Sequence, residues 1–223
     1  MKAVLFDLDN TLVDFMRLKK ICCEEAVEAM IDAGLQVSRK HALKLIYEIY
    51  KEFSMEDNVV FQRLLSRLGK KVDYRILSHG IIAYRKAKLG FLKPYPGIKQ
   101  VLLTLKERGL KLGIVTDAPQ MKAWNRLCSM GIDEYFDVVI CFEDTRKYKP
   151  HKVPFLLALK KLKLNASEVI FVGDYPKRDL VGARRVGMKT GFAKWGEFRK
   201  WGKVRADYSF RNVSELLKAV EGK

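Results

Sequence analysis

The chain has 223 residues, 48% hydrophobic and 31% charged, the composition of a folded globular protein and not of a disordered one. No apolar run approaches the roughly 20 residues of a membrane helix, and Asp7 and Asp9 interrupt the N-terminal apolar stretch where a signal peptide needs continuity, so a cytoplasmic location is expected. A net charge of +17, from 43 Lys and Arg against 26 Asp and Glu, favours anionic partners without choosing among phosphorylated small molecules, nucleic acid or an acidic surface.

The first element is KAVLFD, in which Val4, Leu5 and Phe6 read as a buried strand running straight into Asp7, with Asp9 two residues on. Two carboxylates that close repel each other and want water or a cation. Between about Phe15 and Lys93 the pattern turns helical. Its stripes are Leu18, Cys22, Ala26, Ala29 and Ala33; Ala42, Ile46, Ile49 and Phe53; Phe61, Leu64, Leu65 and Leu68; and Tyr74, Leu77, Ile81 and Tyr84. This predicts a small helical bundle inserted after the first strand, with Gly90 and the LKPYPG turn, Leu92 to Gly97, marking the way back. The expected division is 1–14 and 94–223 for a core and 15–93 for the insert.

Behind Pro96 and Gly97, the spacing of Ile98, Val101, Leu102 and Leu105 predicts a helix that Gly109 stops. LKLGIVTD (Leu110 to Asp117), VVIC (Val138 to Cys141), EVIFVGD (Glu168 to Asp174) and TGFA after Lys189 read as further strands. Continuous apolar strands separated by helices imply an α/β fold with a parallel sheet covered on both faces. Cys22, Cys23, Cys128 and Cys141 show no metal-ligand spacing and are expected to be free, mostly buried thiols.

In such a sheet, ligands collect at the carboxyl ends of the strands. The three strongest strands end in Asp7 with Asp9, Thr116 with Asp117, and Asp174, and Asp179 follows closely. A single Asp is best read as a helix cap or turn former. Several converging on one sheet edge call for a hard cation, and Mg2+ takes carboxylate oxygens together with substrate phosphate oxygens.

DLDNT (Asp7 to Thr11), the Thr that closes GIVT (Thr116), Lys149-Pro150 and GDYPKRD (Gly173 to Asp179) resemble, in order, the four motifs of the haloacid dehalogenase-like hydrolase superfamily. The resemblance covers nearly the whole chain and implies a Rossmann-like core, with the helical insert where the family's type 1 cap lies. It implies that Asp7 is the nucleophile, forming an aspartyl-phosphate. Asp9 would be general acid to the leaving oxygen and then general base to water, with its backbone carbonyl on the metal. Asp174 matches the Mg2+ ligand, and Asp179 the acid that supports the metal site. Thr116, Asp117 and Lys149 would face the substrate phosphoryl group, Thr116 by hydrogen bonding and Lys149 by neutralising charge on it and on Asp7. Lys147 competes for the lysine role, and the Pro after Lys149 decides between them.

An Asp at the second position points to phosphate ester hydrolysis, away from the dehalogenase and phosphonatase branches. Two departures are Asp117, where Asn is common, and Tyr175, where Ser is common. The expected activity is Mg2+-dependent hydrolysis of a small phosphorylated metabolite, with a sugar or triose phosphate such as glyceraldehyde 3-phosphate favoured. Phosphoglycolate and nucleoside monophosphates are the alternatives. Asp14, Arg17, Arg85 and Lys86 are possible substrate contacts that read more simply as solvated charges.

A reading from another class is a nucleic-acid-binding protein on the same fold. It rests on the +17 charge and on Lys194 to Arg211, where Trp195, Phe198 and Trp201 are interleaved with six basic residues. Aromatics about three residues apart suit a short helix packed on the core equally well, and nucleic acid is not the expected partner.

Overall fold

The computed structural model describes residues 1–69, 71–196 and 200–221. The chain divides into two compact units, Met1–Phe15 with Lys93–Lys223, and Met16–Leu92. In chain order the elements are β1 (Ala3–Phe6), α1 (Phe15–Asp32), α2 (Arg39–Glu52), α3 (Val60–Arg67), α4 (Tyr74–Phe91), α5 (Ile98–Glu107), β2 (Lys111–Val115), α6 (Gln120–Met130), β3 (Val138–Ile140), α7 (Phe142–Thr145), α8 (Lys152–Leu162), β4 (Val169–Gly173), α9 (Asp179–Arg185), β5 (Lys189–Ala193), β6 (Tyr208–Phe210) and α10 (Glu215–Val220). No helix among the described residues is long and apolar enough to cross a membrane.

The strands form one parallel sheet in the order β3-β2-β1-β4-β5-β6. The three strongest apolar runs of the sequence thus become the three central strands, and every residue of β1 and β4 is buried. Strand order reverses between β1 and β4, the switch point at which open α/β sheets leave a crevice beyond the strand ends. Phe6 is level with Ile114 on one side and Val172 on the other. Asp7, Thr116 and Asp174 therefore leave the sheet within two residues of one level. One face of the sheet buries Leu5, Phe171 and Phe155, the last two rings edge to face at 5.1 Å.

In this first unit, α5 buries the four apolar residues of its predicted stripe, and Gly109 closes it by donating to the Lys106 carbonyl. The loop after β1 folds back on itself, Asn10 N–H donating to Val13 O at 2.7 Å. Tyr95 N–H, on the returning chain, donates to Leu12 O at 2.9 Å.

The second unit is all helical. Its core collects Ala26, Ile46, Ile49, Leu64, Leu65 and Leu77 from the four predicted stripes, together with Met30, which the first stripe did not include. Ser38 caps α2 by accepting from His41 N–H, and Asp73 caps α4 by accepting from Arg75 and Ile76 N–H. Three expectations are corrected here. Phe53 is exposed, because α2 ends before it and its ring stacks under the Arg63 guanidinium at 3.6 Å. Tyr74 is exposed because it is the first residue of α4, outside the packed turn. Gly90 lies inside α4, and the return turn begins only at Leu92.

Cys22, Cys23 and Cys141 are buried free thiols and Cys128 is an exposed one. Strand β6 was not anticipated: it falls in the basic, aromatic segment after Lys194, where Tyr208 to Phe210 are too few to show an alternation.

Candidate active site

Asp7 and Lys149 meet at the switch point although 142 positions separate them. Lys149 Nζ, fully buried, donates to Asp7 Oδ1 at 2.6 Å and to the Val115 carbonyl at 2.8 Å, and lies 2.8 Å from Asp179 Oδ1. Burial works against its charged form, but Asp179 and Asp7 outweigh that and hold its pKa above the ordinary lysine value. Lys147 is exposed, so the structure brings Lys149, and not its neighbour, to the acids. Asp179 Oδ2 also accepts from Tyr175 N–H at 3.1 Å. This close approach depends on Gly173, since a Cβ there would come within 2.6 to 2.8 Å of the Asp179 side chain.

Asp174 is buried at the end of β4, where its Oδ1 accepts from Thr11 Oγ1 at 3.2 Å. Among the described residues its Oδ2 has no hydrogen-bond partner. Burial, then the charges of Asp7 and Asp179, push its pKa up to about 9. Asp7, Asp174 and Asp179 each bring a carboxylate oxygen to within 4.8 Å of the others. Three buried acids with oxygen-only donors and one orphaned oxygen are the chemistry of a hard-cation site.

Asp9 is partly exposed, and Arg126 Nε of α6 lies 3.3 Å from its Oδ1. Thr116 is buried and its Oγ1 accepts from Ala118 N–H at 3.1 Å. Asp117 turns its carboxylate inward, accepting from Lys149 N–H at 2.9 Å with one oxygen and facing Arg178 Nη1 at 3.5 Å with the other. Asp14 is partly buried, and Arg17, Arg85 and Lys86 are exposed.

Sequence reasoning missed two arginines and a clamp. Arg178 sits inside the fourth motif, immediately before Asp179. Its Nη2 donates to Asp7 Oδ2 at 3.0 Å and its Nε approaches Asp179 Oδ1 at 3.4 Å. Burial opposes its charge, but Asp179, Asp7 and Asp117 more than compensate and raise its pKa. Arg126 is buried, with its guanidinium over the Phe15 ring at 4.5 Å, and nothing in its helical spacing singles it out. The clamp is Trp195, whose Nε1–H donates to Thr11 O at 2.9 Å. The adjoining Gly196 packs so tightly on the Asn10 carbonyl that any Cβ would overlap it. Trp201 packs edge to face on Tyr175 at 4.3 Å. These two tryptophans of the basic segment are thus turned toward the protein, and Phe198 lies outside the described residues.

A family model described as haloacid dehalogenase-like hydrolase matches residues 4–193. The chain is 35% identical over 221 residues to the glyceraldehyde 3-phosphate phosphatase of Methanocaldococcus jannaschii, covering 99% of this chain and 97% of that protein. Against the protein of the same name in Pyrococcus abyssi it is 36% identical over 223 residues, covering 99% and 94%. It is also similar to the solved structure of a HAD phosphatase from Thermococcus onnurineus, with a TM-score of 0.71, 28% identity, and coverage of 100% and 99%. The family match runs from the first strand to the fifth and takes in Asp7, Asp9, Thr116, Lys149, Asp174 and Asp179, so the chain belongs to the haloacid dehalogenase-like hydrolases, in their phosphatase branch.

Proposed function

We propose that this chain is a cytoplasmic, Mg2+-dependent phosphatase that releases inorganic phosphate from a triose phosphate, with glyceraldehyde 3-phosphate the first candidate because two full-length relatives carry that name. The observation that carries the chemistry is a buried Asp7 with both oxygens held by cations and a second acid, Asp9, two residues away.

In the first step an Asp7 carboxylate oxygen attacks phosphorus, the ester P–O bond breaks, and the leaving alkoxide takes a proton from Asp9. In the second, water attacks the aspartyl-phosphate while Asp9 takes its proton, and the O–P bond breaks to restore Asp7 and free phosphate. Lys149 holds Asp7 in place and offsets charge as it develops, from a buried position that needs no reorganisation. Thr116, with Asp117 beside it, lies at the end of β2 on the same sheet edge and is assigned to the phosphoryl oxygens.

Asp7, Asp174 and the Asp9 carbonyl would hold Mg2+, with Asp179 in support. The orphaned Oδ2 of Asp174 is what fits them for it. When bound, the ion neutralises phosphoryl charge in the transition state. The helical unit inserted between β1 and β2 takes the part of the family's substrate-selecting cap.

The test is phosphate release from a panel of phosphorylated metabolites with and without Mg2+. Glyceraldehyde 3-phosphate is expected to be turned over fastest, and Asp7→Asn to lower kcat by about 10⁴-fold or more. Activity that survives this substitution removes Asp7 as the nucleophile.

A further inference from the structure

Arg178 belongs to none of the roles above, yet it touches the nucleophile. Both Asp7 oxygens are taken, Oδ1 by Lys149 and Oδ2 by Arg178. A carboxylate capped on both sides by cations cannot easily accept a third, because like charges sharing one group repel. One of the two must therefore yield when a divalent cation binds. Lys149 is fully buried and fixed by Asp179 and the Val115 carbonyl. The Arg178 side chain is 30% exposed, with a long flexible reach, so it is the one able to move.

The structure also holds a resting place for it. Asp117 Oδ2 already lies 3.5 Å from Arg178 Nη1, outside the trio of Asp7, Asp174 and Asp179. The Tyr175 ring lies 5.1 Å from the guanidinium and can support the plane as it turns. An acid at position 117, a departure at the level of sequence, thus gains a task of its own.

We propose that Arg178 is a tethered counter-cation of Asp7, which the divalent cation displaces from Asp7 toward Asp117. Arg178 is then a positioning residue: it steadies the metal-free nucleophile, sets the metal concentration at which the site loads, and retires to Asp117. The idea rests on the divalent-cation site assigned above, and its test separates the two.

The experiment is calorimetric titration of metal-free protein with MgCl2, without substrate, on wild type, Arg178→Gln, Asp117→Asn and the double variant. Displacement predicts that Arg178→Gln binds Mg2+ at least about fivefold more tightly. Asp117→Asn should bind more weakly, since the guanidinium loses its alternative partner. The double variant should match Arg178→Gln, because the Asp117 oxygen that faces Arg178 has nothing to receive once the arginine is gone, while Asn keeps an oxygen for the Lys149 N–H. Additive effects, with the Kd of the double variant weaker than that of Arg178→Gln by the full factor seen for Asp117→Asn alone, would overturn displacement and leave only a general effect of charge.

A wild type that binds no Mg2+ sinks the cation site itself and this proposal with it. If Arg178→Gln proves too unstable to titrate without metal, 15N NMR of the wild-type arginine side chains replaces it, with Arg178→Lys used for assignment. The Arg178 Nε signal should shift with Mg2+ in step with binding, and a signal unmoved at saturation overturns the proposal.

Discussion

Replacing Lys149 by Met removes the shared ammonium of Asp7 and Asp179 while keeping most of the buried stem. Two charge-assisted contacts, at 2.6 and 2.8 Å, are lost at a site with no exposure. At about 1.5–3 kcal/mol each, they set the loss at about 3–6 kcal/mol. Arg178 still faces Asp7 at 3.0 Å and Asp179 at 3.4 Å, so neither acid is left without a cation and the lower part of that range applies. The variant should lose about 3–4 kcal/mol at pH 7, consistent with breaking one side of a buried pair.

The pH effect follows from the raised pKa of Lys149. The fold favours the ammonium, so its contribution is fully present below the unfolded lysine value of about 10.4 and is lost only as pH rises through the higher folded value, which leaves the gap between wild type and variant open across the neutral range. Urea denaturation followed by circular dichroism, without divalent cation, measures the gap at about pH 6 and about pH 8. A loss below about 1 kcal/mol at pH 7, or a gap that collapses between those two values, would refute this account of the site.

Gly196→Ala should destabilise the core by about 1–3 kcal/mol and lower kcat, since the new Cβ meets the Asn10 carbonyl and not a movable side chain. Unchanged stability and turnover would show that the loop after β1 is not held in the way described. Asp9→Asn should slow hydrolysis of an alkyl phosphate such as glyceraldehyde 3-phosphate by about 10²–10⁴-fold. It should slow p-nitrophenyl phosphate much less, because that leaving group needs no proton, and equal losses on both substrates would contradict Asp9 as the acid.

Legibility followed burial. Strands β1 to β5 were readable because a strand covered on both faces must be apolar throughout, and the stripes of α1 to α5 because one side of each helix is packed. Asp7, Thr116 and Asp174 were legible as polar residues that end apolar strands, and Lys149 and Asp179 through the motifs they resemble; the structure brings Asp7, Lys149, Asp174 and Asp179 together. Arg178 and Arg126 were not, since an arginine in a basic chain looks like a solvated charge until its acid partner is located. Arg126 finds Asp9 from 117 positions away. Trp195 was ambiguous for a related reason: an aromatic beside a lysine looks the same whether it stacks on a base or donates a hydrogen bond to a distant carbonyl.

The central position of β1 has a consequence for the order in which the protein can be made. Its neighbours arrive late, β2 only after the inserted helices and β4 some 165 positions along, as the pairing of Ala3 with Lys111 and Val169 records. At about 5–20 residues per second, β1 waits for β4 for about 8–33 s. The inserted unit is one contiguous segment rich in local contacts and can fold meanwhile. Asp7, the proposed nucleophile, therefore gains its contact with Lys149, and through it with Asp179, only late in translation, and an incomplete chain holds this acid without the cations that face it in the finished fold.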